Sequence, residues 1–308
     1  MILFLVNANK KVGYGHVSRS ISIANYLKKN ELFLHGVDYV PKGLQLDCFK
    51  KIYNKKKNIF SVIKQNKIQK VIIDGTISFK IVRKVKELNC KIVQLNYQHH
   101  NLKLLDLVIN HLVKNKNKKI FSGLKYLVFN NKIINSYRGL KFKKKINVLI
   151  LCGGSFDKVF FQKIFKILSY DYLENIKINF VCDKKYKILK KFKKNIKFYI
   201  NPSQQLIKRL YKNNNIGICP GGLQLSEMIS NRITTICVPK NNLELKNANF
   251  FSKLGLCYVI NKLGYDYSNI LLKKIITNIS MRKKTEKKIL KQFFLQGSKN
   301  VGSLIEKI

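Results

Sequence analysis

The chain opens on an unbroken apolar run, Met1–Val6, and short, mostly apolar runs recur at Val71–Ile73, Lys91–Leu95, Leu107–Asn110, Ile146–Cys152, Lys177–Cys182, Ile216–Cys219 and Thr234–Val238. Runs of this length, without polar alternation, predict strands buried on both faces of a parallel sheet. Between them apolar residues recur at helical spacing. Val17, Ile21, Ile23, Ala24 and Leu27 follow the first run, and Ile81–Leu88, Val159–Leu168, Ser203–Leu210, Leu223–Ser230 and Leu243–Leu254 show similar periods. Ser203 reads as the N-cap of its helix. Glu31–Leu34, Tyr126–Phe129 and Lys197–Ile200 read as further strands, Lys55–Lys57 as a solvated turn, and the basic stretch after Cys182 as a helix. Beyond about Tyr265 the chain is helical and basic. Strand–helix alternation at these lengths predicts a doubly wound α/β architecture.

The alternation breaks once. From Tyr137 to Lys145 the sequence is polar, glycine-containing and lysine-rich, which predicts a linker between an N-terminal domain over residues 1–140 and a C-terminal domain over 146–308. The second half then repeats the opening order: strand (Ile146–Cys152), glycine loop (Gly153-Gly154-Ser155), helix (Val159–Leu168). With 308 residues the chain can hold two cores of roughly 150 residues each.

Composition narrows the classes. No apolar run approaches the ~20 residues of a membrane helix, and the first run is too short for a signal peptide, so a cytoplasmic protein is expected. Seven cysteines without a Cys-x-x-Cys pair lie mainly in or beside apolar runs and read as small buried residues in a reducing compartment. The five histidines show no metal spacing, so neither metal nor cofactor is expected. The formal charge of +46 suggests a nucleic-acid partner. Yet only six of the 61 basic residues are Arg, the side chain suited to bidentate phosphate and base recognition. Lysine is spread through the chain with Asn and Ile, whose codons are also A/T-rich. The charge therefore reads as compositional drift, not as a specific nucleic-acid site.

Two stretches carry candidate chemistry. In Gly13-Tyr14-Gly15-His16-Val17-Ser18-Arg19 the histidine stands where a helix begins, beyond the carboxyl end of a central strand. Open α/β sheets bind ligands there. Gly13 and Gly15 permit a tight turn and a close ligand approach. The helix N-terminus favours a neutral imidazole able to take a proton. Arg19, at i+3, can face the same loop or hold a carboxylate beneath it. A glycine turn with an incidental surface histidine is the competing reading. Asp74, at the end of its strand, could reach a ligand, but a helix-capping role in the next loop is favoured. The second stretch is Pro220-Gly221-Gly222 leading into Leu223–Ser230. Backbone N–H groups at such a helix start form an anion cradle for a diphosphate. Glu227, one turn on, can offer its carboxylate to ribose hydroxyls or be an ordinary helix acid.

The pattern Gly13-x-Gly15-His16-x-x-Arg19 after the first strand resembles the opening signature of the PseG/SpsG nucleotide-sugar hydrolases, relatives of the MurG-like GT-B glycosyltransferases. The resemblance implies a GT-B-like fold of two doubly wound Rossmann-like domains facing across a cleft, with the last helix packing back on the first domain. It implies a small-molecule UDP-sugar substrate, with His16 as the base that activates water. Gly153, Gly154, Ser155, Gly221, Gly222 and Glu227 would line the nucleotide site, and Asn247 the loop that closes over the sugar and diphosphate. Two segments depart from the family pattern. Asn96-Tyr97-Gln98-His99 stands where paired acids are usual, and in Asn-Gln-x-x-Asn-Ala the positions of Asn and Gln hold Leu243 and Glu244, while Asn247 and Ala248 match. The expected activity is hydrolysis of a UDP-sugar in pseudaminic-acid-type glycan biosynthesis. Transfer to an acceptor hydroxyl is the alternative, and nucleic-acid binding, without an RRM, KH, zinc-finger or helix-turn-helix signature, is a third.

Overall fold

Strand β1 (Ile2–Ala8) is apolar from Ile2 to Val6 because helices cover both of its faces. Ile2, Phe4 and Val6 pack with Val17 and Ile23 of α1 (Gly15–Ala24) and with Val301 and Ile305 of the final helix, Gly297–Glu306. Leu3 and Leu5 point the other way, onto Val62 and Ile63 of α2 (Ile59–Gln65) and Val82 and Val85 of α3 (Phe79–Glu87). Burying each such side chain contributes about 1.5–3 kcal/mol. The alternation of side chains in a strand thus builds two cores from one run of residues.

The computed structural model describes residues 1–9, 14–27, 29–38, 44–96, 101–112, 117–134, 146–153, 157–168, 176–182, 195–260, 265–292 and 295–308. They form two units, Met1–Asn131 with Phe294–Ile308, and Lys132–Phe293. In unit 1, β2 (Leu32–Val37), β3 (Lys51–Tyr53), β4 (Lys70–Asp74), β5 (Lys91–Leu95), β6 (Leu107–Asn110) and β7 (Ile120–Ser122) join β1 in a parallel sheet of order β3-β2-β1-β4-β5-β6-β7.

Unit 2 contains β8 (Asn147–Leu151), α4 (Lys158–Ile167), β9 (Lys177–Cys182), β10 (Ile196–Ile200), α5 (Gln204–Asn213), β11 (Ile216–Cys219), α6 (Leu223–Ser230), β12 (Thr234–Cys237), α7 (Asn242–Lys253), β13 (Cys257–Val259), α8 (Tyr265–Thr277) and α9 (Ile279–Gln292). Its parallel sheet has the order β10-β9-β8-β11-β12-β13. In each sheet the winding direction reverses once, between β1 and β4 in unit 1 and between β8 and β11 in unit 2. Those reversals open the crevices in which doubly wound sheets take ligands.

Several elements differ from the sequence expectation. Helix α1 starts at Gly15, so His16 lies within its first turn. Strand β3 and helix α2 lie in a stretch without a clear pattern; β3 has three residues, two of them exposed, and so leaves no apolar run. Tyr126–Phe129 is not a strand. A 3₁₀ turn ends at Tyr126, and Leu127, Val128 and Phe129 are buried without pairing in the sheet, whose edge is Ile120–Ser122. This segment instead receives the final helix, α10 (Gly297–Glu306), which also packs on α1. Asn300 Nδ2 donates to Lys125 O at 2.7 Å, and Lys70 Nζ donates to Ile305 O at 2.9 Å near the helix's end. Ser203 caps α5, its Oγ accepting from Leu206 N at 3.3 Å. The expected linker at 137–145 and the basic stretch over 183–194 lie outside the described residues. Among the described residues no helix is long and apolar enough to cross a membrane.

Gly297 sets how closely α10 approaches. A Cβ at this position would sit 1.8 Å from Leu127 O, well inside any permitted contact. Gly297→Ala must therefore push the helix away from the 126–129 segment. A loss of about 1–3 kcal/mol is expected in urea unfolding, typical of overpacking at a well-fitted site; an unchanged midpoint would show that α10 docks less tightly than this.

Candidate functional site

In unit 1 the register of β1 against β4 pairs Val6 with Asp74, so the carboxylate stands beside the start of the loop that leads to α1. Asp74 is fully buried and ends β4. Two residues of α1, spaced i and i+3 on one helix face, reach it from above. Arg19 Nε donates to Oδ2 at 2.8 Å and Nη2 to Oδ1 at 2.7 Å, a bidentate fork. His16 Nδ1 lies 2.9 Å from Asp74 Oδ1. The helix-capping role expected for Asp74 is therefore incorrect. The N-cap of α3 is Ser78, and all of Asp74's side-chain bonding capacity goes to α1.

His16 Nδ1 is also 2.9 Å from Arg19 Nη2, which can only donate. A lone pair on Nδ1 would face the carboxylate oxygen, whereas an N–H there makes a charge-assisted bond to it. An Nδ1–H therefore suits the Asp74 contact, and in the neutral ring of that tautomer Nε2 carries the lone pair. Arg19 and His16 hold Asp74 far below the usual carboxylate range against the opposing effect of burial. The side chain of His16 remains 24% exposed. The site is thus an imidazole with a proton-accepting nitrogen, backed by a permanently ionised carboxylate that Arg19 keeps in place.

Gly75 follows Asp74 with φ +126°, a backbone state that glycine alone takes easily. A Cβ there would lie 3.6 Å from Asn7 Cβ and 3.7 Å from His16 Cε1, so Asn7 and His16 border the same small space. Among the described residues, Asn7 Oδ1 is buried without a hydrogen-bond partner. Asn96, at the end of β5, has φ +54°, while Gly13 and Tyr97–His99 lie outside the described residues. A separate shallow cavity, lined by Asp38, Asn54, Lys55 and Lys56, lies where β2 and β3 end.

In unit 2 the expected residues fall at the β8–β11 reversal, but their roles differ from the simple cradle. Gly221 is glycine because α7 lies against it: a Cβ would be 2.2 Å from Glu244 O. Asn247 Nδ2 donates to Gly221 O and ties the same turn to the second turn of α7. Gly222 is the N-cap of α6 and has no side chain to satisfy the helix's first N–H groups. Glu244 closes the start of α7. Asn241 Oδ1 accepts from Glu244 N at 2.9 Å, and Glu244 Oε2 accepts from Lys240 N at 2.8 Å, a variant of the capping box. The departure at Glu244 thus has a local structural role, and its Oε1 comes within 3.8 Å of a Cβ built on Gly222. The neighbouring departure, Leu243, is exposed. Gly153 continues from β8 into this region, whereas Gly154 and Ser155 lie outside the described residues.

Glu227 projects from α6 into the interior of unit 2. Tyr211 OH donates to its Oε2 at 2.9 Å, a partner that nothing in the local sequence marks. Burial pushes Glu227 up to about 7, only partly offset by the Tyr211 hydrogen bond. The seven cysteines are free thiols, six of them buried, and those at 219, 237 and 257 are pushed up by burial, so they are unreactive. Among the described residues no group of His, Cys, Asp and Glu could hold a metal ion.

The two buried carboxylates give opposite pH signatures. Asp74 is depressed on folding, so its contribution is complete above its unfolded value of about 3.9 and is lost as pH falls below it. Asp74→Asn should cost about 3 kcal/mol at pH 7, because Arg19 loses its partner, and should flatten the acid limb of the stability profile. Glu227 is raised, so its contribution is complete below an unfolded value of about 4.3 and declines as pH rises towards 7. Glu227→Gln should remove that decline, a difference of up to about 3 kcal/mol between pH 4 and 8. Urea titrations from about pH 2 to pH 8 check both, the first below about pH 4 and the second above it, and parallel profiles for variant and wild type would refute them.

No family model matches the chain. The uncharacterized protein MJ1062 of Methanocaldococcus jannaschii is 28% identical over 274 residues, which cover 79% of this chain and 56% of that protein. The chain thus spans about half the length of that relative. Among solved structures it is similar to MurG of Acinetobacter baumannii, at 14% identity and a TM-score of 0.69 over 100% of this chain and 99% of that one. It is also similar to MnaA of S. aureus, solved with UDP, at 11% identity and a TM-score of 0.71 over 99% and 96% of the two chains. The architecture is GT-B-like, two doubly wound parallel-sheet units along one chain.

Proposed function

We propose that the protein cleaves a UDP-sugar with water, releasing the sugar and UDP. The observation that carries this reading is the His16–Asp74–Arg19 cluster at the sheet reversal of unit 1. His16 Nε2 takes a proton from the attacking water as its oxygen bonds to the anomeric carbon. The bond from that carbon to the phosphate oxygen breaks, and its electrons leave with UDP. Asp74 balances the imidazolium that forms and fixes the ring's tautomer and orientation. Unit 2 holds the nucleotide: the first turn of α6, with Gly221 and Gly222, receives the diphosphate, and Glu227 receives the ribose. Asn247 supports the site by bracing the glycine turn. The likeness to MnaA, solved with UDP, supports a uridine nucleotide.

Transfer to an acceptor hydroxyl is the second reading, since an alcohol can lose its proton to the same base. The similarity to MurG over 100% of the chain supports it. In both readings the substrate is a nucleotide-sugar of cell-surface glycan assembly. The free thiols support a cytoplasmic setting.

The test combines binding and turnover. UDP at about 100 times its Kd should stabilise the protein by about 2.7 kcal/mol. UDP release from a panel of UDP-sugars, with and without acceptors, separates hydrolysis from transfer. His16→Ala should lower kcat by about 10²–10⁴-fold and leave UDP stabilisation intact, since a general base acts in the transition state. Wild-type turnover in that variant would remove His16 from the chemistry. A well-folded sample indifferent to millimolar UDP would overturn the nucleotide-sugar reading itself.

A further inference from the structure

The loop after β12 carries a cation back to the sheet reversal of unit 2. Lys240 Nζ donates to Cys152 O, just beyond β8, at 3.4 Å, and stands 5.9 Å from the centre of the Phe160 ring. It also comes within 3.2 Å of the place a Cβ on Gly153 would occupy, and Pro220 Cγ is 3.6 Å from that same place. The ammonium therefore sits above the first glycine after β8, next to the Pro220-Gly221-Gly222 turn. Its backbone is fixed as well, because Lys240 N is bonded to Glu244 Oε2.

Packing alone explains this placement poorly. A 3.4 Å bond to one carbonyl is long, and a ring face at 5.9 Å compensates weakly. Among the described residues no carboxylate forms an ion pair with Lys240. Two of the ammonium's three donors thus have no described acceptor, beside a helix start whose own N–H groups lack a side-chain cap. The ammonium and the start of α6 thus place two positive features on one crevice, with the Glu244 carboxylate beside Gly222 between α6 and α7.

We propose that Lys240 is the cation that binds the diphosphate in unit 2, an inference that rests on the nucleotide-sugar reading above. Its contribution grows during the reaction. The phosphate bonded to the sugar is a diester with one negative charge; once the bond to the anomeric carbon breaks, the terminal phosphate of UDP holds two. A positioned ammonium therefore favours the departing group over the bound substrate. It also offsets the Glu244 carboxylate, which would otherwise oppose a phosphate near Gly222.

Calorimetric titration of the 308-residue chain with uridine and with UDP tests this, using Lys240→Met to keep the aliphatic stem and Lys240→Gln as a second variant. Loss of a charge-assisted contact should weaken UDP binding about 10- to 100-fold and leave uridine binding unchanged. Unchanged uridine binding also shows that the variant is folded. The salt dependence of UDP affinity should fall in both variants. If either folded variant keeps the wild-type preference for UDP over uridine, Lys240 is not the phosphate cation, while the nucleotide site stands. If the wild type binds neither ligand, the nucleotide reading fails and this inference fails with it.

Discussion

A carboxylate without water must be matched by donors from the protein, and Asp74 is such a carboxylate. Breaking a pair of this kind costs several kcal/mol, because one charge stays behind. That constraint fixes the chemistry of unit 1. Arg19 must lie one turn after His16, and α1 must begin early enough for both to descend on the end of β4. The order β2-β1-β4 supplies the rest by placing β4 next to β1 although 61 residues separate Ala8 from Lys70. The imidazole is thus held from below by the interaction that keeps the acid ionised.

Unit 2 uses the same topological position with a different cohesive force. No ion pair joins its described glycine turn to its helices; the fit is made by backbone against backbone. The missing Cβ of Gly221 admits Glu244 O, and Asn247 secures the turn from α7. A glycine that looks like a ligand cradle is therefore first a packing device, and any phosphate meets a turn already made rigid by α7. That is the preorganisation an anion site requires, since its donors are held in place before the ligand arrives.

The sequence revealed what depends on neighbours along the chain. The apolar runs marked most of the strands, because burial on both faces leaves no polar positions. Ser203 could be recognised as a cap, and His16 with Arg19 as one face of a helix. Whatever depended on strand order stayed hidden. A sequence separation of 58 between His16 and Asp74 leaves no local sign of their contact, so from the sequence capping reads as the better role for the acid. Tyr211 beneath Glu227 and Lys240 above Gly153 escaped notice for the same reason. Tyr126–Phe129 misled in the opposite direction: its hydrophobicity is real, but it serves the docking of α10 and not a sheet edge.

The contrast between the two buried acids bears directly on how such a protein could work. Asp74 has an arginine fork and stays ionised at every physiological pH, so His16 always rests on a negative charge. An imidazolium formed by proton uptake at Nε2 stands beside a carboxylate oxygen that it shares with the Arg19 fork. Glu227 has only a phenol, and burial brings it to about 7. Its charge is therefore open to change by whatever approaches it. Hydroxyl donors stabilise the ionised form, whereas burial favours the protonated one. One acid is built to be constant and the other to respond. The base role proposed for His16 needs the first property, and the ribose contact proposed for Glu227 needs the second.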